Sequence, residues 1–112
     1  MEKSDRPWGR YEVLTESANY KVKVITVFSG KRLSYQRHQR RAEHWFITNG
    51  TGVVTLEGVN LDVKSGSTVD VKVNQLHRIA NTGSEDLVFI EVQTGTYFGE
   101  DDIERIEDDF GR

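Results

Sequence analysis

Short runs rich in Val, Ile, Thr, Phe and Tyr recur from Tyr11 to Thr94, and glycine-containing pairs interrupt them every few residues. Branched and aromatic side chains at that density suit pleated, half-buried strands, and the glycine pairs suit the turns between them. The run Tyr20–Phe28 alternates, placing Tyr20, Val22, Val24, Thr26 and Phe28 on one face. Further strands are predicted over Tyr11–Leu14, Glu43–Thr48, Thr51–Glu57, Val59–Val63, Thr68–Val73, His77–Ala80 and Leu87–Thr94. The turns fall at Ser29-Gly30, Asn49-Gly50, Glu57-Gly58, Ser65-Gly66 and Thr82-Gly83, with Asn49-Gly50 read as a hairpin. No stretch before residue 98 has a helical period. The tail Glu100–Asp109 is predicted as a short helix with Ile103, Ile106 and Phe110 as its apolar stripe. Many short strands at regular spacing imply an all-β sandwich or small barrel with a short C-terminal helical or turn segment packed outside.

The 112 residues fit one domain, residues 1–112, without a linker or an internal repeat. The chain has no Cys, which excludes disulfides, thiolate metal sites and cysteine nucleophiles. A net charge of −3 argues against nucleic-acid binding, which relies on a strong cationic excess. No apolar run approaches the ~20 residues that cross a bilayer, and the opening MEKSDRPWGR lacks the apolar core of a secretory signal. The expectation is a soluble, cytoplasmic protein with neither a nucleic acid nor a membrane as partner.

Chemistry is confined to few residues. Of the three histidines, His38 follows Gln36 at a spacing of two, so a strand would project both to one face. Glu43 opens the next predicted strand, where hairpin pairing would set it beside them. A closed barrel would bring His77 from the opposite side. Two imidazoles, a carboxylate and an amide oxygen suit one divalent ion. The plainer alternative is that His38 and His77 are unrelated polar residues on strand ends.

Two longer segments bear on that choice. The first contains Gly30, Gln36, His38, Glu43 and Gly50, and the second contains Gly66, His77 and Asn81. In spacing they resemble the paired motifs of the cupin superfamily, with Gln36 in place of the first His and Lys72 and Asn74 in place of a Pro and a Gly. The stretches Arg6-Pro7-Trp8-Gly9, Arg41-Ala42-Glu43-His44-Trp45, Gly99-Glu100-Asp101-Asp102-Ile103, Arg105 and Gly111-Arg112 narrow the likeness. Together they resemble the cupin domain of type II mannose-6-phosphate isomerases, often fused behind a mannose-1-phosphate guanylyltransferase, in which Gln is usual at position 36. Arg37 and Arg40 depart from that pattern, which has an apolar residue and a His there. The resemblance implies a double-stranded β-helix, or jelly-roll barrel, and one divalent metal on Gln36, His38, Glu43 and His77. Zinc is the leading expectation, with manganese, iron, nickel or cobalt as alternatives. It also implies a phosphosugar substrate and interconversion of mannose 6-phosphate and fructose 6-phosphate. The alternative is a non-catalytic, metal-containing, sugar-binding cupin that partners a separate nucleotidyltransferase. A homodimer is expected, with the first residues or the Tyr20–Phe28 strand contributing.

Lys31, Arg32, Arg37, Arg40 and Arg41 crowd five cations into eleven residues of an otherwise acidic chain. Arg41 is assigned to phosphate or substrate contact, because a guanidinium matches phosphate oxygens two at a time; Lys31 and Arg32 read as a solvated loop. His44 adjoins Glu43 and should turn outward while Trp45 turns inward. Glu91 shares a face with Phe89 and Gln93 and is the candidate base if that face lines the barrel. The acidic tail reads as a solvated cap.

Overall fold

The computed structural model describes residues 2–111; Met1 and the Arg112 of the C-terminal signature lie outside the described residues. Two antiparallel sheets face each other. In one, the order is β1 (Lys3–Arg6), β2 (Gly9–Glu16), β3 (Tyr20–Val27), β10 (Leu87–Gly95), β5 (Arg41–Asn49) and β8 (Thr68–Val71). The other runs β11 (Ile103–Glu107), β4 (Tyr35–His38), β9 (His77–Asn81), β6 (Thr51–Leu56) and β7 (Val59–Lys64). Ile25, Val27, Trp45, Ile47, Leu87 and Phe89 from the first sheet meet Val54, Val63 and Ile79 from the second to form the core. This is the expected all-β barrel of double-stranded β-helix type.

Strand β10 alternates as predicted: Leu87, Phe89, Glu91 and Gln93 are buried, while Val88, Ile90 and Val92 are less so. In β3 the Tyr20, Val22 and Val24 face lies outward, and Lys23, Ile25 and Val27 are buried inside.

Two expected pairings are corrected. Asn49-Gly50 does not close a hairpin, because β5 and β6 belong to different sheets. The pair is a corner: Gly50 has φ 89°, a Cβ there would meet the Asp86 carbonyl at 2.6 Å, and Asn49 Nδ2 donates to that carbonyl. The two-residue hairpin is Glu57-Gly58, where both residues have positive φ and Leu56 pairs with Val59. Likewise β4 and β5 do not pair. The chain crosses between sheets at Gln39 and Arg40, whose N–H groups both donate to the Asp102 carboxylate, at 3.2 and 3.0 Å.

The tail also differs from the predicted helix. Glu100–Asp102 makes one 3-10 turn, and Ile103–Glu107 continues as an edge strand on β4. Strand β4 has few other pairing partners, and acids of the tail meet cations of the barrel. Arg37 pairs with Glu104, Arg78 with Glu107, and Arg32 with Asp109 and Glu107. These contacts favour an extended tail over an isolated short helix.

Candidate metal and acid–base centre

Along β5 the buried side is Arg41, Glu43, Trp45 and Ile47, while His44 and Phe46 face out. His44 is hydrogen-bonded to Asp70 at the surface, so the outward placement read from alternation holds. Glu43 therefore projects into the barrel from the first sheet. His38 ends β4 and His77 opens β9, neighbouring strands of the second sheet. Gln36 is the register partner of His77. The expected geometry is thus inverted: the two histidines come from the same sheet and Glu43 meets them across the interior.

One ligand atom from each of His38, Glu43 and His77 falls within 4.8 Å of the other two, and all three residues are buried. His77 Nε2 lies 4.0 Å from Glu43 Oε1, and His38 Nδ1 lies 3.6 Å from Glu43 Oε2. The His77 tautomer follows from its partner. Its Nδ1 contacts the Gln75 carbonyl at 2.9 Å, which can only accept, so Nδ1 carries the proton and Nε2 keeps its lone pair. That Nε2 is buried without a hydrogen-bond partner. An orphaned imidazole lone pair beside a carboxylate is what a divalent cation needs, so the residues fit such an ion. Gln36 offers its Oε1 nearby, where it accepts from Ser34 Oγ at 2.8 Å.

The motif position usually held by Gly is Asn74, at φ 67°, one of the few non-glycine residues that tolerate it. Asn74 N–H donates to the His38 carbonyl at 2.6 Å, so the turn before His77 is tied to the other histidine.

Arg41 occupies the centre of the cluster. Its Nε donates to Glu43 Oε2 at 2.9 Å and its Nη2 to His38 Nε2 at 2.9 Å, while Nη1 is buried without a partner. Trp45 Nε1 donates to the other Glu43 oxygen at 2.9 Å, and its ring packs on Phe89 and His77. Burial works against the Glu43 charge, but Arg41, His77 and His38 outweigh it and hold the carboxyl down at about 2. His38 is lowered to about 3 by burial first, with Arg41 and His77 adding repulsion.

Glu91 faces the same interior, as its position beside Phe89 suggested. It accepts a hydrogen bond from Gln93 Nε2. Burial, then the Glu43 carboxylate, push its carboxyl up to about 8 against the pull of Lys23 and Arg41. Two buried carboxyls thus sit far apart in acidity, the pattern that separates a fixed anion from a proton carrier.

A small cavity of about 60 Å³, open to solvent, lies here, with Gln36, Arg41 and Glu91 in its lining and Arg6, Lys23 and Arg105 on its walls. His38, Glu43 and His77 contribute no lining surface; the cavity meets them through Arg41 and Gln36. Of the five crowded cations, Lys31 is exposed as expected, Arg32 is not solvated but held with Arg37 by tail acids, and Arg40 lies over the Tyr97 ring, which leaves Arg41 at the cavity. Lys23 went unremarked in the sequence, and Arg6 and Arg105 were noted there for the family likeness and not for the cavity. The available signal was Lys23 itself, a cation on the same strand face as Ile25 and Val27.

Comparison with known proteins gives a consistent assignment. The family described as "Mannose-6-phosphate isomerase C-terminal" matches residues 1–108. The alginate biosynthesis protein AlgA of Pseudomonas aeruginosa is 45% identical over 96% of this chain, which spans 22% of that protein. A mannose-1-phosphate guanylyltransferase of Klebsiella pneumoniae is 41% identical over 96% of the chain and 23% of its own length. The chain thus covers less than a quarter of either relative. Among solved structures, a conserved Klebsiella pneumoniae protein with a double-stranded β-helix domain superposes with a TM-score of 0.75 at 22% identity. The match covers 85% of this chain and 81% of that one.

Proposed function

The chain belongs to the mannose-6-phosphate isomerase C-terminal family, and we propose that it is a metal-dependent aldose–ketose isomerase interconverting mannose 6-phosphate and fructose 6-phosphate. The observation that carries this reading is the pairing, in one interior, of a carboxyl that titrates near neutrality with an orphaned ligand set. Glu91 is at about 8, and His77 Nε2 is unpartnered beside Glu43.

Isomerisation moves a proton from C2 of the aldose to C1 of the ketose. A group titrating near 8 has both forms present around neutrality, as taking and returning a proton requires. Glu91 is assigned that transfer, and Gln93 fixes its carboxyl by donating to it. His38, Glu43, His77 and Gln36 are assigned to one divalent ion, zinc first, which supplies Lewis acidity toward the sugar oxygens when bound. Arg41, through its free Nη1, is assigned to a substrate oxygen. Trp8, Ile25 and Leu33 give the cavity an apolar wall.

One observation favours a second reading, a sugar-binding domain without turnover that works beside a separate guanylyltransferase. Arg41 already neutralises Glu43 and occupies the His38 Nε2 lone pair. An assay with mannose 6-phosphate, coupled to detection of fructose 6-phosphate and run across zinc, manganese, iron, nickel and cobalt, separates the two. Turnover supports the isomerase; binding without turnover in any metal supports the second reading.

A further inference from the structure

Strand β4 carries two of the candidate ligands, Gln36 and His38, yet the barrel holds it thinly. Among the described residues it meets β9 at a single register pair, Gln36 with His77. On its other side β11 pairs along its whole length: Ile103 with His38, Glu104 with Arg37, Arg105 with Gln36 and Glu107 with Tyr35. The side chains reinforce that second contact. Arg37, which stands between Gln36 and His38, donates from Nη2 to Glu104 at 2.6 Å. Arg78, next to His77, donates from Nη1 to the Glu107 carboxylate at 2.7 Å and from Nη2 to the Glu107 carbonyl at 3.2 Å. Its Nε donates to the Leu33 carbonyl at 2.9 Å. One buried guanidinium on β9 thus spans the entry to β4 and grips the tail beyond it. At the exit from β4, Arg40 lies over the Tyr97 ring, and the Tyr97 hydroxyl donates to Asp101. The metal and acid–base roles assigned above leave Arg37, Arg40 and Arg78 unused, and all three contact the tail.

We propose that Arg37 and Arg78 are positioning residues that clasp the tail strand β11 onto β4 and so hold Gln36 and His38 at the spacing a divalent ion requires. The role rests on the metal assignment and not on isomerase turnover. Sheet order supplies the mechanism. β11 is the edge and β4 lies between it and β9, so releasing β11 leaves β4 as an edge strand with one register pair to the barrel. Exposed ion pairs are individually weak and screened by salt. Here two act on one short strand, and Arg78 is largely out of water. An ion in the site and a tail docked on β4 both need β4 in place, so each favours the other, and the coupling is reciprocal. The tail therefore responds to the metal although none of the assigned ligands lies on it.

The test is hydrogen–deuterium exchange of the full chain, with and without zinc, read by mass spectrometry in peptides covering 35–40 and 103–107. Zinc should slow exchange in both segments of the wild type. Glu104→Gln/Glu107→Gln removes both carboxylates from exposed positions. In the metal-free chain it should speed exchange of both segments about three- to thirtyfold and leave β3 and β10 unchanged. The same variant should bind zinc more weakly, by about two- to tenfold in competition with a chromophoric chelator. Raising sodium chloride from about 20 mM to about 500 mM should speed exchange of these segments more in the wild type than in the variant. Glu12→Gln, which breaks the exposed ion pair with Lys3 on the other sheet, should change neither segment. A wild type that binds zinc while its tail exchange stays unchanged overturns the clasp and leaves the metal assignment standing. So does a double variant with wild-type exchange and wild-type zinc affinity. A wild type that binds no zinc overturns the metal assignment and the positioning role with it.

Discussion

Glu43 and His77 face each other across the barrel interior from different sheets, with Oε1 and Nε2 4.0 Å apart and His77 Nε2 lacking any hydrogen-bond partner. A carboxylate held down at about 2 beside a free imidazole lone pair is set for a cation rather than for proton exchange. Replacing both His38 and His77 by Ala should therefore abolish stoichiometric divalent-metal binding while far-UV circular dichroism retains the β-rich signal. Metal retained at one ion per chain in that double variant would contradict the ligand assignment.

Arg41 competes with the metal for this space. Its guanidinium is 4% exposed and donates to both Glu43 and His38. Arg41→Met leaves a buried carboxylate without its partner, which should destabilise the metal-free chain by about 3–5 kcal/mol. The same substitution removes a positive charge and a rival for the His38 lone pair. The rise in melting temperature on adding zinc should consequently be larger in Arg41→Met than in the wild type, since stabilisation grows with ligand affinity. A smaller rise would mean that Arg41 supports the metal rather than standing in for it.

The strand framework was largely legible in the sequence, and so was much of the site. Alternation put Glu91 and Gln93 on one face of β10 with Phe89, which the structure buries, and it turned His44 outward and Trp45 inward, as observed. Which strands pair was not legible. Asn49-Gly50 has hairpin chemistry but serves a corner, because a glycine with positive φ suits either use and only the Asp86 carbonyl against it decides. The tail misled for a similar reason. Ile103 and Ile106 have helical spacing, but the extended form is selected by Arg37, Arg78 and Arg32, which lie far away in sequence. Lys23 escaped notice because Tyr20, Val22 and Val24 suggested the opposite face as the apolar one.

The pH dependence of stability follows from His38 and Glu91, which pull in opposite directions. The carboxyl of Glu91 is raised from 4.5 to about 8, so its contribution is complete below 4.5 and is lost as pH rises to 8. His38 is lowered from 6.5 to about 3, so its contribution is present above 6.5 and is lost as pH falls toward 3. Between 4.5 and 6.5 the two slopes cancel. Urea unfolding of the metal-free chain should show a plateau there and a decline in stability from 6.5 to 8. Glu91→Gln should remove the decline, so stability rises to pH 6.5 and then stays level. A decline that persists in this variant would place the raised group elsewhere.

Asp102 ties the tail to the crossing between His38 and Arg41 through the Gln39 and Arg40 N–H groups. Asp102→Ala should cost about 1–3 kcal/mol in urea unfolding. It should also weaken zinc binding, because the crossing sets the spacing of His38 and Glu43. Unchanged zinc affinity in the destabilised variant would show that the core alone positions the ligands.

The most direct measurement is proton NMR of mannose 6-phosphate incubated with the zinc-loaded chain in deuterium oxide. A proton carried by Glu91 between C1 and C2 exchanges with solvent. Deuterium should then enter C2 of mannose 6-phosphate and C1 of fructose 6-phosphate, and Glu91→Gln should suppress both while mannose 6-phosphate still binds. Binding by the wild type with no deuterium at either carbon, with every divalent metal tried, would contradict the isomerase reading.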